Sequence, residues 1–143
     1  FNVYVNDLVK SLFHAYGAIS NNIIPNIKVS NVSLGIDSAI PCGLIINELV
    51  TNSLKHAFPD GRKGEIRVFL EQKGENEFEL LICDNGVGIA QGIDFDKSDT
   101  LGLHLVKILS ENQLHGEISL IRNHGSEFKI NFKGAKECPK SKY

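Results

Sequence analysis

The run Ile45 to Pro59, reading IINELVTNSLKHAFP, limits what the chain can fold into because it builds an apolar helix with one polar stripe. At about 100° per residue, Glu48, Asn52, Lys55 and His56 fall within a single arc. Ile46, Val50, Ser53 and Ala57, with Leu49 and Leu54 beside them, turn the other way and predict burial against a sheet. Pro59 disfavours helical geometry in the residue before it, so the helix stops by Phe58. Asp37 or Ser38 is the expected cap, and Pro41 is expected early enough that its missing amide costs no helical bond. Taken alone, such a stripe is no more than the solvated face of a helix.

Two glycine blocks change that reading. Asp84-Asn85-Gly86-Val87-Gly88 follows an apolar strand, and Thr100-Leu101-Gly102-Leu103 opens a second amphipathic helix. A carboxylate at the end of a buried strand can accept a hydrogen bond from an exocyclic amine, and Gly86 and Gly88 let the backbone turn tightly and approach a base. Gly102 at a helix start allows the amides of Leu101 to Leu103 to point at phosphate oxygens, helped by the positive end of the helix dipole. A dinucleotide fingerprint is excluded, because Gln91 stands where its third glycine would fall, and no G-x-x-x-x-G-K-[ST] loop occurs.

The remaining periodicities predict a helix over 4–19, with Val5, Leu8, Val9, Leu12, Phe13 and Tyr16 inward, and a strand over 27–34. Alternation predicts one hairpin from Glu65 to Glu71 and Glu77 to Cys83, and another from Glu117 to Arg122 and Glu127 to Phe132. Between them, 101–112 reads as a helix with Leu101, Leu105, Ile108 and Leu109 inward. The expected fold is α+β, a two-layer sandwich with helices on one face of a mixed, mostly antiparallel sheet. Residues 1–133 form the expected domain, and the charged 134–143 a disordered tail. The segment 89–99, with Gly92 and Phe95, suits a short lid.

At 143 residues, 42% hydrophobic, the chain is large enough for one core. A net charge of -2 gives no field that would attract nucleic acid. Cys42, Cys83 and Cys138 lack metal or disulfide spacing and suit a reducing cytosol. No apolar run approaches the ~18 residues of a membrane span. The absence of methionine is read as a sign that the chain is part of a longer protein.

The three blocks, in this order and at these separations, resemble the N, G1 and G2 boxes of the Bergerat or GHKL ATP-binding domain. Sensor histidine kinases, type II topoisomerases and mismatch-repair ATPases share that domain, and the wording NELVTNSLKHAFP is most like the histidine kinase branch with Glu at the first box position. The resemblance implies that Asp84 reads the adenine amino group of ATP, with Gly86 and Gly88 beside it. It implies that Asn52 binds Mg²⁺ and that Glu48 is a second metal partner or, as in hydrolysing relatives, a base. It further assigns Lys55 a catalytic role in neutralising phosphate charge, His56 to phosphate or ribose, Leu101, Gly102 and Leu103 to phosphate, and Ser126 to support of the adenine-binding carboxylate. Ser98 and Thr100 replace glycines usual in the third box.

The resemblance further implies a cytoplasmic catalytic domain that transfers the γ-phosphoryl of Mg-ATP to a histidine on a separate upstream dimerisation domain. A response regulator would act downstream, and the domain alone would be a monomer without membrane contact. None of His14, His56, His104, His115 or His124 reads as the acceptor. The alternatives are a stand-alone ATPase or anti-sigma-type serine kinase of the same fold, or a non-enzymatic interaction module.

Overall fold

The computed structural model describes residues 1–18, 20–30, 33–87, 101–122 and 124–134. Helix α1 (Asn2–Ala15) leads to strand β1 (Ile23–Val29) and helix α2 (Ile36–His56). Strands β2 (Gly64–Gly74) and β3 (Glu77–Asp84) follow, then helix α3 (Leu101–Ile108), a π-helical turn (Leu109–Gln113), and strands β4 (Glu117–Arg122) and β5 (Ser126–Lys133). The sheet order is β1-β2-β3-β5-β4. Among the described strands only β1 and β2 pair in parallel, so the mixed, mostly antiparallel sheet and the two-layer α+β sandwich are as the alternation predicts.

Alternation fixes which face the helices cover. Ile66, Val68 and Leu70 of β2, Phe78, Leu80 and Ile82 of β3, and Phe128, Ile130 and Phe132 of β5 are all buried on one side. They meet Val5, Val9 and Phe13 of α1, Ile45, Ile46, Leu49 and Val50 of α2, and Leu103 and Val106 of α3 in one core. Central β3 thus points its inward row at α2, and that row ends at Asp84.

Several local expectations are corrected. Helix α2 is capped by the extended backbone of Gly35 rather than by Asp37 or Ser38, and the Ser38 and Ala39 amides donate to the Gly35 carbonyl. Pro41 therefore lies in the second turn, where it leaves the Asp37 carbonyl without its i+4 donor. Strand β1 lies upstream of the expected 27–34, because Ile23 to Val29 pair in register with Gly64 to Leu70 of β2. Pro25 is tolerable there since β1 is an edge strand.

The inward arc of α3 also differs. Leu101 is 83% exposed, and Leu105 and Ile108 face outward with it, while Leu103 and Val106 are buried. The widened turn after it keeps Leu109 and Ser110 buried, the Ser110 hydroxyl donating to the Val106 carbonyl at 2.7 Å. The expected lid, 89–99, and all but Gly134 of the expected tail, 134–143, lie outside the described residues.

Truncating a side chain at the sheet centre removes contacts that neighbours cannot replace. Leu80→Ala is expected to destabilise the domain by about 2–5 kcal/mol in urea unfolding. Leu101→Ala, on the open side of α3, is expected to change stability by no more than about 0.5 kcal/mol.

Candidate functional site

Asp84 ends the inward row of β3, opposite Ile66 of β2 and Ser126 of β5. It is 9% exposed, so its carboxylate depends on protein donors more than on water. The Gly86 amide donates to Oδ1 at 3.0 Å, and the Ser53 hydroxyl of α2 donates to Oδ2 at 2.9 Å. The Ser126 backbone amide adds a third bond. Burial pushes the carboxyl above its ordinary value, while these donors and the Arg62 guanidinium pull it back down.

The loop after β3 is clamped from both sides. The Val87 amide donates to the Ala57 carbonyl at 2.9 Å, and a Cβ on Gly86 would collide with that same carbonyl. The Asn85 side chain accepts from the Glu65 amide at 2.8 Å, and its amide reaches back to the Glu65 carbonyl. On the other side, Gly125 has φ +125, and a Cβ there would strike the Asp84 carbonyl. The end of α2, the β3 loop and the β4–β5 turn therefore converge on one carboxylate.

The polar stripe of α2 divides in two. Glu48 and Asn52, both half-buried, face Gly102 at the start of α3: a Cβ on Gly102 would lie 2.8 Å from Glu48 Oε2 and 3.7 Å from Asn52 Nδ2. Lys55 and His56 are exposed in the last turn, and Lys55 Nζ stands 5.9 Å from the centre of the ring of Tyr16, the residue after α1. Leu101 is exposed and Leu103 buried on either side of Gly102. Gly88 lies outside the described residues.

Ser53, which the sequence places only within the buried arc, is a site residue that helical periodicity does not single out. Successive residues Asn52 and Ser53 face Gly102 and Asp84 respectively, so one helical turn spans both ends of the site. A hydroxyl within an apolar arc, facing a strand that ends in Asp, was the available signal.

Glu48 and Asn52 offer a carboxylate and an amide oxygen, a hard donor pair that fits Mg²⁺, which keeps most of its waters and needs only one or two protein ligands. Among the described residues no cluster of three His, Cys, Asp or Glu side chains forms a closed metal cage.

A layered α+β domain whose helix α2 meets a buried strand-end carboxylate through Ser53 and a glycine at the start of α3 through Glu48 and Asn52 defines the class. The chain belongs to the family of histidine kinase-, DNA gyrase B-, and HSP90-like ATPases, whose model matches residues 38–136. Sensor histidine kinase PdtaS of Mycobacterium tuberculosis is 32% identical over 99 residues, which is 66% of this chain and 20% of PdtaS. The histidine kinase domain of the Erythrobacter litoralis EL346 blue-light activated histidine kinase superposes with a TM-score of 0.84 at 24% identity, covering 92% of this chain and 60% of that one. Full-length ShkA, solved with AMPPNP, gives a TM-score of 0.69 at 18% identity over 94% of this chain and 30% of its own.

Because burial raises the Asp84 carboxyl in the folded state, the folded protein holds a proton that the unfolded chain has released. That difference costs stability as pH rises from the unfolded carboxyl value, about 3.9, through the raised folded one, and the full cost is present at neutral pH. Asp84→Asn keeps an acceptor for Gly86 and removes the buried charge. Its stability at pH 7 is expected to equal or exceed that of the parent, with the advantage shrinking as the pH falls through this window. Urea unfolding of both proteins across the acid range measures the difference.

Proposed function

We propose that this chain is the ATP-binding catalytic domain of a sensor histidine kinase. The observation that carries the reading is the Asp84 carboxylate, buried at the end of the central strand with the Gly86 amide donating to one oxygen and the Ser53 hydroxyl to the other. Each oxygen retains lone-pair capacity, and an ionised carboxylate accepts only. The 6-amino group of adenine satisfies it, whereas the 6-oxo group of guanine would set oxygen against oxygen. Support also comes from the family membership and from the kinase relatives.

In this reading Ser126 and Gly86 hold Asp84 from the backbone, and Gly88 continues the close approach to the base. The amides around Leu101, Gly102 and Leu103 bind phosphate at the start of α3, where a side chain at 102 would press on Glu48. Asn52 and Glu48 hold Mg²⁺, which supplies neutralisation of phosphate charge. Lys55 adds a positive charge by swinging from Tyr16 toward the phosphates, and His56 reaches the phosphates or ribose. Phosphoryl transfer is largely positioning and charge stabilisation, so these groups suffice without a nucleophile of the chain's own.

The acceptor is a histidine on a separate dimerisation domain, and a response regulator takes the phosphoryl group onward. The chain spans about a fifth of PdtaS, which leaves room in such a protein for those domains. No helix among the described residues is long and apolar enough to cross a membrane. We place the domain on the cytoplasmic side, as a monomer when isolated, with residues 1–133 as its functional unit.

Asp84→Asn is expected to weaken ATP binding by about tenfold or more, because the amide presents a donor to a donor amine. Calorimetric titration checks this, and unchanged affinity would remove the adenine-reading role. Asn52→Ala is expected to abolish the Mg²⁺-dependent part of ATP affinity while leaving binding in EDTA nearly intact. An equal loss with and without the metal would instead give Asn52 a structural role.

A further inference from the structure

We infer that Ser53 is a specificity-determining residue of the purine pocket, one that fixes the rotation of the Asp84 carboxylate and so aims its free lone pairs at a 6-amino group. The inference rests on the adenine-reading role proposed for Asp84. Its geometry is independent of any ligand. The terminal torsion of an aspartate is soft, and a carboxylate held through one oxygen can pivot about that bond. Asp84 is held through both: Oδ1 by the Gly86 amide of its own loop and Oδ2 by the Ser53 hydroxyl from across the helix–sheet interface.

The hydroxyl also sets the polarity around the carboxylate. A serine has one proton to give, and Ser53 gives it to Oδ2. What remains on its oxygen is acceptor capacity, so carboxylate and hydroxyl together present acceptors to whatever approaches. Such a corner welcomes an exocyclic amine and rejects a carbonyl. An alanine at 53 would remove the side-chain donor to Oδ2 and leave the carboxylate to the backbone amides of Gly86 and Ser126, which hold it from the sheet side alone. The helix itself would not suffer, because alanine is the strongest helix former.

The test compares ATP with purine riboside triphosphate, which lacks the 6-amino group, by calorimetric titration of the parent chain and of Ser53→Ala, Ser53→Thr and Asp84→Asn. Ser53→Ala is expected to lose about tenfold in ATP affinity and less than about twofold for the des-amino nucleotide, so that the preference collapses. Ser53→Thr, which keeps the hydroxyl at a half-exposed position, is expected to retain the parent's preference. An equal loss for both nucleotides in Ser53→Ala, no loss for either, or a Ser53→Thr that behaves like Ser53→Ala would overturn the inference. Asp84→Asn separates the two levels. If it leaves the preference standing, the adenine-reading role itself fails. If it removes the preference and Ser53→Ala does not, only the role of Ser53 fails.

Discussion

One buried carboxylate sets the terms for the rest of this domain. Asp84 stands where β3 stops, inside the layer between helices and sheet, and a charge in that position is tolerable only if donors are brought to it. They come from three directions: Ser53 from α2, Gly86 from the loop after β3, and the Ser126 backbone from β5. Each source dictates local structure. The loop must fold back, α2 must run far enough to put Ser53 over the strand end, and β5 must begin in register with Asp84. The glycines at 86 and 125 answer to the same crowding, since a side chain at either would meet a backbone carbonyl.

Much of this was legible in the sequence, for identifiable reasons. Strict alternation in β2, β3 and β5 specifies which side is buried and places Asp84 at the end of the inward row. The stripe on α2 and the glycines near it specify a cleft, because polar groups so ordered have few structural uses. Local pattern could not give the rotation of α3. Leu101, Leu105 and Ile108 make as good an apolar arc as Leu103 and Val106, and docking against α2 decides between them. Nor could it give the start of α2, where Gly35 with extended backbone outcompetes two better side-chain caps nearby. Ser53 was hidden by its own placement, since a helical wheel counts it among core positions and cannot show that a carboxylate lies opposite.

Stability and function pull against each other at this point. In the adenine-reading role proposed for Asp84, the burial that raises its carboxyl would also make it a discriminating acceptor, because water competes poorly for its lone pairs. Ser53 and Gly86 offset part of the burial cost without neutralising the charge. Other acidic groups near the cleft are treated differently: Glu48 keeps partial access to solvent and faces Gly102. Asp84 is thus buried at the strand end, whereas Glu48 and Gly102 are half-exposed.

Helix α3 packs against α2 through one narrow apolar face. Leu103 and Val106 are its buried side chains, and its other large apolar residues face outward. Elements anchored by so few contacts open at lower free energy than the core they lean on. An opening of α3 would leave the sheet with Asp84 and the helix with Asn52 and Ser53 packed on each other.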